Sequence, residues 1–221
     1  MRSWTDLARK VAHEIKNPLT PMRMAAATLS RGREGREAEA GRILQEEIER
    51  LDELARTFSQ YGRMPEGPRS RVDLGELLTS LSSQHASPAT PVDVHLDGTV
   101  EVEAHYDALE RALRNLIVNA VEAQEGGGRV DVSLEGEPEW AVIRVEDEGP
   151  GVPDDLLDEI WNPDMTTKRH GTGLGLAMVR QTVAHHGGTV TAGNRAEGGA
   201  AFEVRLPRGA SQDDTPEASA P

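Results

Sequence analysis

The chain has no cysteine. Disulfides, thiolate-bound zinc, iron–sulfur clusters and thiol nucleophiles are excluded at once, and the composition fits a reducing compartment. Aromatics are scarce, with three Trp, two Tyr and two Phe in 221 residues. Any core must therefore be aliphatic. No apolar run approaches the ~20 residues that a membrane-crossing helix requires. The first ten residues, MRSWTDLARK, lack the apolar stretch of a signal peptide. Positive charge is short as well: 24 Lys and Arg stand against 38 Asp and Glu, a formal charge of −14. Most of such a surface repels a polyanion, which argues against nucleic-acid binding. What remains is a cytoplasmic chain of one or two domains.

The charge is unevenly spread. Residues 1–62 hold 11 basic and 10 acidic side chains, whereas 63–221 hold 13 and 28. The change falls at Gly62-Arg63-Met64-Pro65-Glu66-Gly67-Pro68, whose Gly and Pro content reads as a linker. The expected organisation is a first domain over 1–62, a linker over 63–70, a second domain over 71–208 and a disordered tail over 209–221. That tail is small, polar and acidic.

The first domain is helical in pattern. Trp4, Ala8, Val11, Ile15, Pro18, Met22, Ala25 and Leu29 recur at steps of three and four, one face of a helix. Residues 31–36, RGREGR, read as a turn, and the pattern resumes at Leu44, Ile48, Leu51, Ala55 and Phe58. An antiparallel helical hairpin of this kind cannot bury both faces alone. Pairing with a second copy makes a dimeric four-helix bundle, so residues 1–62 predict a homodimer. Pro18 and Pro21 fall inside the first helix and should bend it.

The second domain mixes periods. Strand-like runs lie at 92–96, 100–104, 128–135, 140–146, 188–193 and 201–206, and helical patterns at 74–83, 107–124 and 174–186. The last four strands form two hairpin-like pairs. They predict a mixed, mainly antiparallel sheet with helices on one face, an α/β sandwich. The whole chain is thus α+β.

Chemistry is concentrated in a few places. His13 lies two steps from the seam residues Val11 and Ile15, about 200° round the helix, so it points to solvent. A lone surface histidine usually has no role, but Asn17 shares its face at i+4 and two prolines follow. At neutral pH an exposed imidazole keeps one free lone pair and can act as a nucleophile. A carboxylate accepting the other N–H would fix the tautomer, and Glu14 is the nearest candidate. As neighbours on a helix, His13 and Glu14 do not face each other, so Glu14 must reach sideways or exploit the bend.

A second constellation spans residues 115–176. Gly171-Thr172-Gly173-Leu174-Gly175-Leu176 runs into a helical pattern, and bare backbone N–H groups at a helix start can cradle phosphate. It is neither a Walker loop nor a dinucleotide fingerprint, and by itself could be a structural turn. Asp147-Glu148-Gly149-Pro150-Gly151 follows a strand and suits a carboxylate gripping a ligand amine, though a plain tight turn reads the same way. Asn115 and Asn119 sit at i and i+4 beside aliphatics, and asparagine is a poor helix-interior residue. Oxygen ligands without a carboxylate cage suit Mg²⁺ that is also held by phosphate. An acidic domain that binds a triphosphate needs local positive charge, and Lys168-Arg169 stand just before the glycine string.

Together these stretches resemble the cytoplasmic catalytic core of two-component sensor histidine kinases. His13-Glu14-Ile15-Lys16-Asn17-Pro18-Leu19-Thr20 is similar to the H-box, and Asn115-Leu116-Ile117-Val118-Asn119-Ala120 to the N-box. Asp147–Gly151 and Gly171–Leu176 are similar to the two glycine boxes, and Trp161–Lys168 to the F-box. The stretch 7–21 most resembles nitrogen-regulation-type sensor kinases. The resemblance implies ATP and Mg²⁺ as cofactors. It gives His13 the γ-phosphoryl group, Glu14 the part of base, and Asn17 a part in removing phosphate from the partner. Asn119 would hold Mg²⁺, with Asn115 close by. Asp147 would bond the adenine amino group in a pocket shaped by Gly149 and Gly151. Lys168, Gly171, Thr172, Gly173, Leu174 and Gly175 would contact phosphates. The partner would be an aspartate of a response-regulator receiver domain, which the chain lacks.

Three departures stand out. Trp161 replaces the usual Phe, Asp164 sits where an apolar residue is commoner, and the lid between Pro163 and Gly171 is short. His13 comes only 12 residues from the start, so the chain reads as the cytosolic piece of a longer receptor. Two rival functions are an Hsp90-, MutL- or gyrase-like ATPase of the same superfamily and a non-catalytic dimeric scaffold that binds a receiver. The first places a Glu four residues before the metal-binding Asn, where this chain has Asn115.

Overall fold

Local chemistry accounts for the best-defined helix. Asp73 caps it, its side chain accepting from Glu76 N at 3.1 Å, as an N-cap should. Leu74, Leu77, Leu78 and Leu81 follow at helical spacing and are all buried. This helix, Leu74–His85, is α3 in a computed structural model that describes residues 15, 18–29, 37–61, 68–124, 127–163, 165, 166 and 173–208. His13, Glu14, Asn17, Lys168, Gly171 and Thr172 lie outside the described residues, as do the expected turn at 31–36 and the tail from 209.

The described residues fall into two units. One holds those up to Met64 together with Asn162–Gly175, the other Pro65–Trp161 and Leu176 onward. The first contains helical residues 18–29 (α1) and Glu37–Tyr61 (α2). Glu37 and Glu39 in the first turn of α2 suit the positive end of the helix dipole. Both Pro18 and Pro21 are helical. Pro18 and Ala25 of the expected seam are buried, whereas Leu19 is 43%, Met24 68% and Ile48 53% exposed. No described helix is long and apolar enough to cross a membrane.

The second unit is a two-layer sandwich. Its five-stranded sheet runs β2-β4-β5-β7-β6, formed by Val92–Asp97, Val130–Gly136, Trp140–Asp147, Ala200–Pro207 and Thr189–Asn194 respectively. Only β2 and β4 pair in parallel; the other three pairings are antiparallel. One face is apolar through Val130, Val132, Leu134, Ile143, Val145, Phe202, Val204 and Leu206. Against it pack α3, α4 (Tyr106–Glu122) and α5 (Gly175–His185). The aliphatic core and one-sided helices expected from the sequence are both present. The opposite face is a charge ladder. Arg144 bonds Glu135 at 2.7 Å and Glu203 at 2.9 Å, and Arg205 bonds Glu137. The carboxylate of Glu203 raises the Arg144 pKa further above its ordinary value.

One element was not expected. Ser70–Asp73 forms β1, at the end of the segment read as a linker, and pairs antiparallel with β3 (Glu101–Ala104) in a separate two-stranded sheet. Four residues, SRVD, are too few for alternation to register. Val72 and Val102 face each other across the pair and are buried.

Candidate functional site

Alternation along β5 sends Ile143, Val145 and Asp147 to the same side of the strand. The first two fill the core, and the third brings a carboxylate to its edge. Asp147 is only 2% exposed. Its Oδ1 accepts from Gly149 N at 2.8 Å and from Ala200 N at 3.2 Å. Among the described residues no hydrogen bond reaches Oδ2. A buried carboxylate fixed through one oxygen offers the other to a ligand N–H.

The glycines after it are there because the chain passes close to its neighbours. A Cβ on Gly149 would lie 2.8 Å from Asp147 Oδ1 and 2.9 Å from Ala123 O, at the end of α4. Gly151 has φ +74°, and a Cβ there would lie 2.7 Å from Asn194 Oδ1. The Asp147 loop is thereby seated on α4. Ala123 N donates to Asn119 O at 3.1 Å, so Asn119 is one turn back from the point of contact and Asn115 another turn beyond. Both asparagines are half-buried on one flank of α4, next to the fully buried Leu116 and Ala120. The structure therefore seats the Asp147–Gly151 loop on the end of α4, with Asn119 one turn and Asn115 two turns from the contact.

The glycine string belongs to the other unit as far as Gly175. Gly173 has φ +66°, Leu174 is buried, and Gly175 is the first residue of α5. The described part of the string thus opens directly onto a helix N-terminus, where bare backbone N–H groups are exposed to an anion. Trp161, the residue in place of Phe, is a core residue, packed edge-to-face on Phe202 with centroids 6.0 Å apart.

Sequence reasoning missed a second set of residues. Gln124, buried just past α4, sets its amide against Glu148 N and Gly149 N, and with the amide swapped its oxygen accepts from them at 3.1 and 3.2 Å. Arg195 donates from Nη1 to Asp147 O at 3.0 Å. Asn194 grips Val152 and Asp154. Gly199, with φ +90°, brings the β6–β7 hairpin against Asp147, where a Cβ would fall 1.8 Å from Asp147 O. The pair Gly198-Gly199 between two strand-like runs was the available signal, since it marks a tight hairpin. Which loop the hairpin would touch follows only from the β5–β7 register.

Comparison with known proteins supplies a class for this two-layer sandwich, with its buried aspartate at a strand end and paired asparagines on the neighbouring helix. Residues 104–210 match the family described as histidine kinase-, DNA gyrase B-, and HSP90-like ATPase, and residues 3–67 match the His Kinase A (phospho-acceptor) domain. Nitrogen regulation protein NtrY of Azorhizobium caulinodans is 32% identical over 92% of this chain and 28% of its own length. Sensor histidine kinase ZraS of Escherichia coli K12 is 32% identical over 91% of this chain and 45% of its own. The chain therefore spans less than half of either relative. Among solved structures, a mycobacterial sensor histidine kinase, MprB, superposes with TM-score 0.58 at 28% identity, covering 63% of this chain and 97% of that one. The histidine kinase domain of the E. coli osmosensor EnvZ gives TM-score 0.54 at 30% identity, covering 72% and 99%. Histidine kinase ThkA, solved in complex with response regulator protein TrrA, shares the fold with TM-score 0.74 over 94% of this chain and 62% of that one.

The chain belongs to the two-component histidine kinases, and it carries their phospho-acceptor and ATP-binding domains in that order.

Proposed function

We propose that the chain is an ATP-dependent protein histidine kinase that phosphorylates its own His13 and passes the phosphoryl group to an aspartate of a response-regulator receiver domain. The observation that carries the ATP half is Asp147: a buried carboxylate with one oxygen fixed and the other available, beside the α4 asparagines. Adenine presents an amino donor to such an oxygen. The phospho-acceptor match over residues 3–67, which includes His13, supports the other half.

The residues would divide the work as follows. The free ring nitrogen of neutral His13 attacks the γ-phosphorus; a P–N bond forms and the bond to the ADP oxygen breaks. Glu14 accepts the other ring N–H and steadies the imidazolium that develops. Lys168 and the backbone of Gly171, Thr172, Gly173, Leu174 and Gly175 hold phosphate oxygens. Asn119, with Asn115 one turn away, supplies amide oxygens for Mg²⁺. Among the described residues no cluster of three His, Asp or Glu could hold a metal by itself. Amide oxygens therefore suit an ion that arrives with the triphosphate. When bound, Mg²⁺ neutralises charge on the phosphate oxygens. Asn115 stands where a water-activating glutamate would make an ATPase, so transfer to His13 is favoured over hydrolysis.

Asn17 would serve the reverse task, removal of phosphate from the regulator. The apolar side chains left exposed on α1 and α2 support a homodimer through residues 1–62, and identity to NtrY supports a nitrogen-regulation-like subtype. On this reading the chain works in the cytoplasm, within a longer receptor. Titration with ATP and a panel of receiver domains tests it. The wild type should bind ATP and label one receiver fastest. Asn119→Ala should bind ATP at least about tenfold more weakly, the scale of a lost charge-assisted contact. Unchanged binding in that variant would contradict the assignment.

A further inference from the structure

Asn194 ends β6 and is exposed, so packing does not require an asparagine there. Its hydrogen bonds do. Oδ1 accepts from Val152 N at 2.8 Å, while Nδ2 donates to Val152 O at 2.7 Å and to Asp154 Oδ1 at 3.2 Å. A planar amide can meet the N–H and C=O of one residue together, as a neighbouring strand would. Alanine offers neither group, and aspartate offers only acceptors.

This grip bears on Asp147 by two routes. Gly151 lies against Asn194, so the side chain fixes the far end of the turn whose near end, Gly149 N, donates to Asp147 Oδ1. The register partner of Asn194 on β7 is Ala200, whose N–H is the other donor to that oxygen. The side chain thus acts on the loop that carries Gly149, while the backbone of the same residue pairs beside Ala200.

We propose that Asn194 is a positioning residue for Asp147 and so sets the discrimination between adenine and guanine nucleotides. The proposal rests on the reading of Asp147 as the base-contacting group. Adenine carries an amino donor where guanine carries a carbonyl acceptor. A carboxylate held in place favours the first and repels the second, whereas a loosened one does neither well.

The test is calorimetric titration of the full chain with ATP and with GTP, for the wild type, Asp147→Ala and Asn194→Ala, with a thermal melt of each. Asp147→Ala should erase most of the preference for ATP. Asn194→Ala should melt near the wild type and weaken ATP about tenfold, the scale of one or two hydrogen bonds, with GTP nearly unchanged. Asn194→Asp sets a carboxylate against Asp154 and should do more harm. Adding Asp154→Asn removes the repulsion from Asp154 and should recover part of the lost ATP binding, though not the bond to Val152 O, and this pair decides the matter if Asn194→Ala does not fold. Equal weakening of ATP and GTP, no weakening of ATP, or no rescue by the pair overturns the role given to Asn194. If Asp147→Ala keeps the preference, the reading of the base pocket falls first and this inference with it.

Discussion

At the scale of single residues, Asp147 is held by its surroundings rather than by an opposite charge. Two backbone amides fix one oxygen, and glycines let the chain come close enough to supply them. Gly199→Ala would put a methyl 1.8 Å from Asp147 O in a left-handed conformation. We expect a loss of about 2–4 kcal/mol in chemical denaturation. Gly193→Ala, where a Cβ meets nothing within 4 Å, should cost no more than about 1 kcal/mol. His186 gives a pH signature. Burial lowers its pKa, helped by the nearby charges of Arg69, His105 and His185 and opposed by its bond to Thr182 O. Neutral His186 accepts from His105 N at 3.0 Å through Nε2, leaving Nδ1–H to donate to Thr182 O at 2.8 Å. Because the folded pKa is the lower one, the unfolded chain binds the proton more readily. The stabilisation is complete above the unfolded value of about 6.5 and is lost as pH falls through the folded one. Thermal melts across that range should show a shallower acid slope in His186→Gln than in the wild type. Asp147 and the α4 asparagines were legible because their chemistry is local to a motif. Asn194 and Gln124 were not, because the partner of the first is 42 residues away and those of the second, Glu148 and Gly149, lie beyond the whole of β4 and β5.

At the scale of elements, the site depends on α4 keeping one flank polar while the other is sealed. Leu109, Leu113, Leu116 and Ile117 are at most 1% exposed, so the helix cannot rotate without exposing core. Periodicity showed α3, α4, α5 and the five sheet strands in the sequence to within a few residues. Of the β1–β3 ribbon, β3 was read at 100–104, but β1 and the pairing were illegible: β1 is four residues long and pairs across the whole of α3 and β2. Helices α1 and α2 pose the converse case. Their pattern was clear, yet Ile48 of the expected seam is 53% exposed in the single chain. That exposure is the element-level argument for a second copy. Ile48→Asp should shift the chain toward monomer in analytical ultracentrifugation while leaving far-ultraviolet circular dichroism nearly unchanged. A dimer of wild-type strength would place the interface elsewhere.

At the scale of the whole molecule, residues 3–67 match a phospho-acceptor domain and residues 104–210 an ATP-binding domain. The charge changes near residue 62, close to the end of the first matched stretch, from a nearly balanced helical segment to an acidic one. On the proposed reading, which subunit's histidine would receive the phosphate was not legible, since it depends on how a bundle of two copies would wind. The central claim is that nucleotide bound beside Asp147 supplies the phosphoryl group that His13 accepts. The direct measurement is incubation with γ-labelled ATP followed by mapping of the labelled residue. The account predicts a single acid-labile, base-stable label on His13, absent in His13→Ala although that variant still binds ATP. A label on any other side chain, or steady ATP hydrolysis with no phosphohistidine, would contradict it.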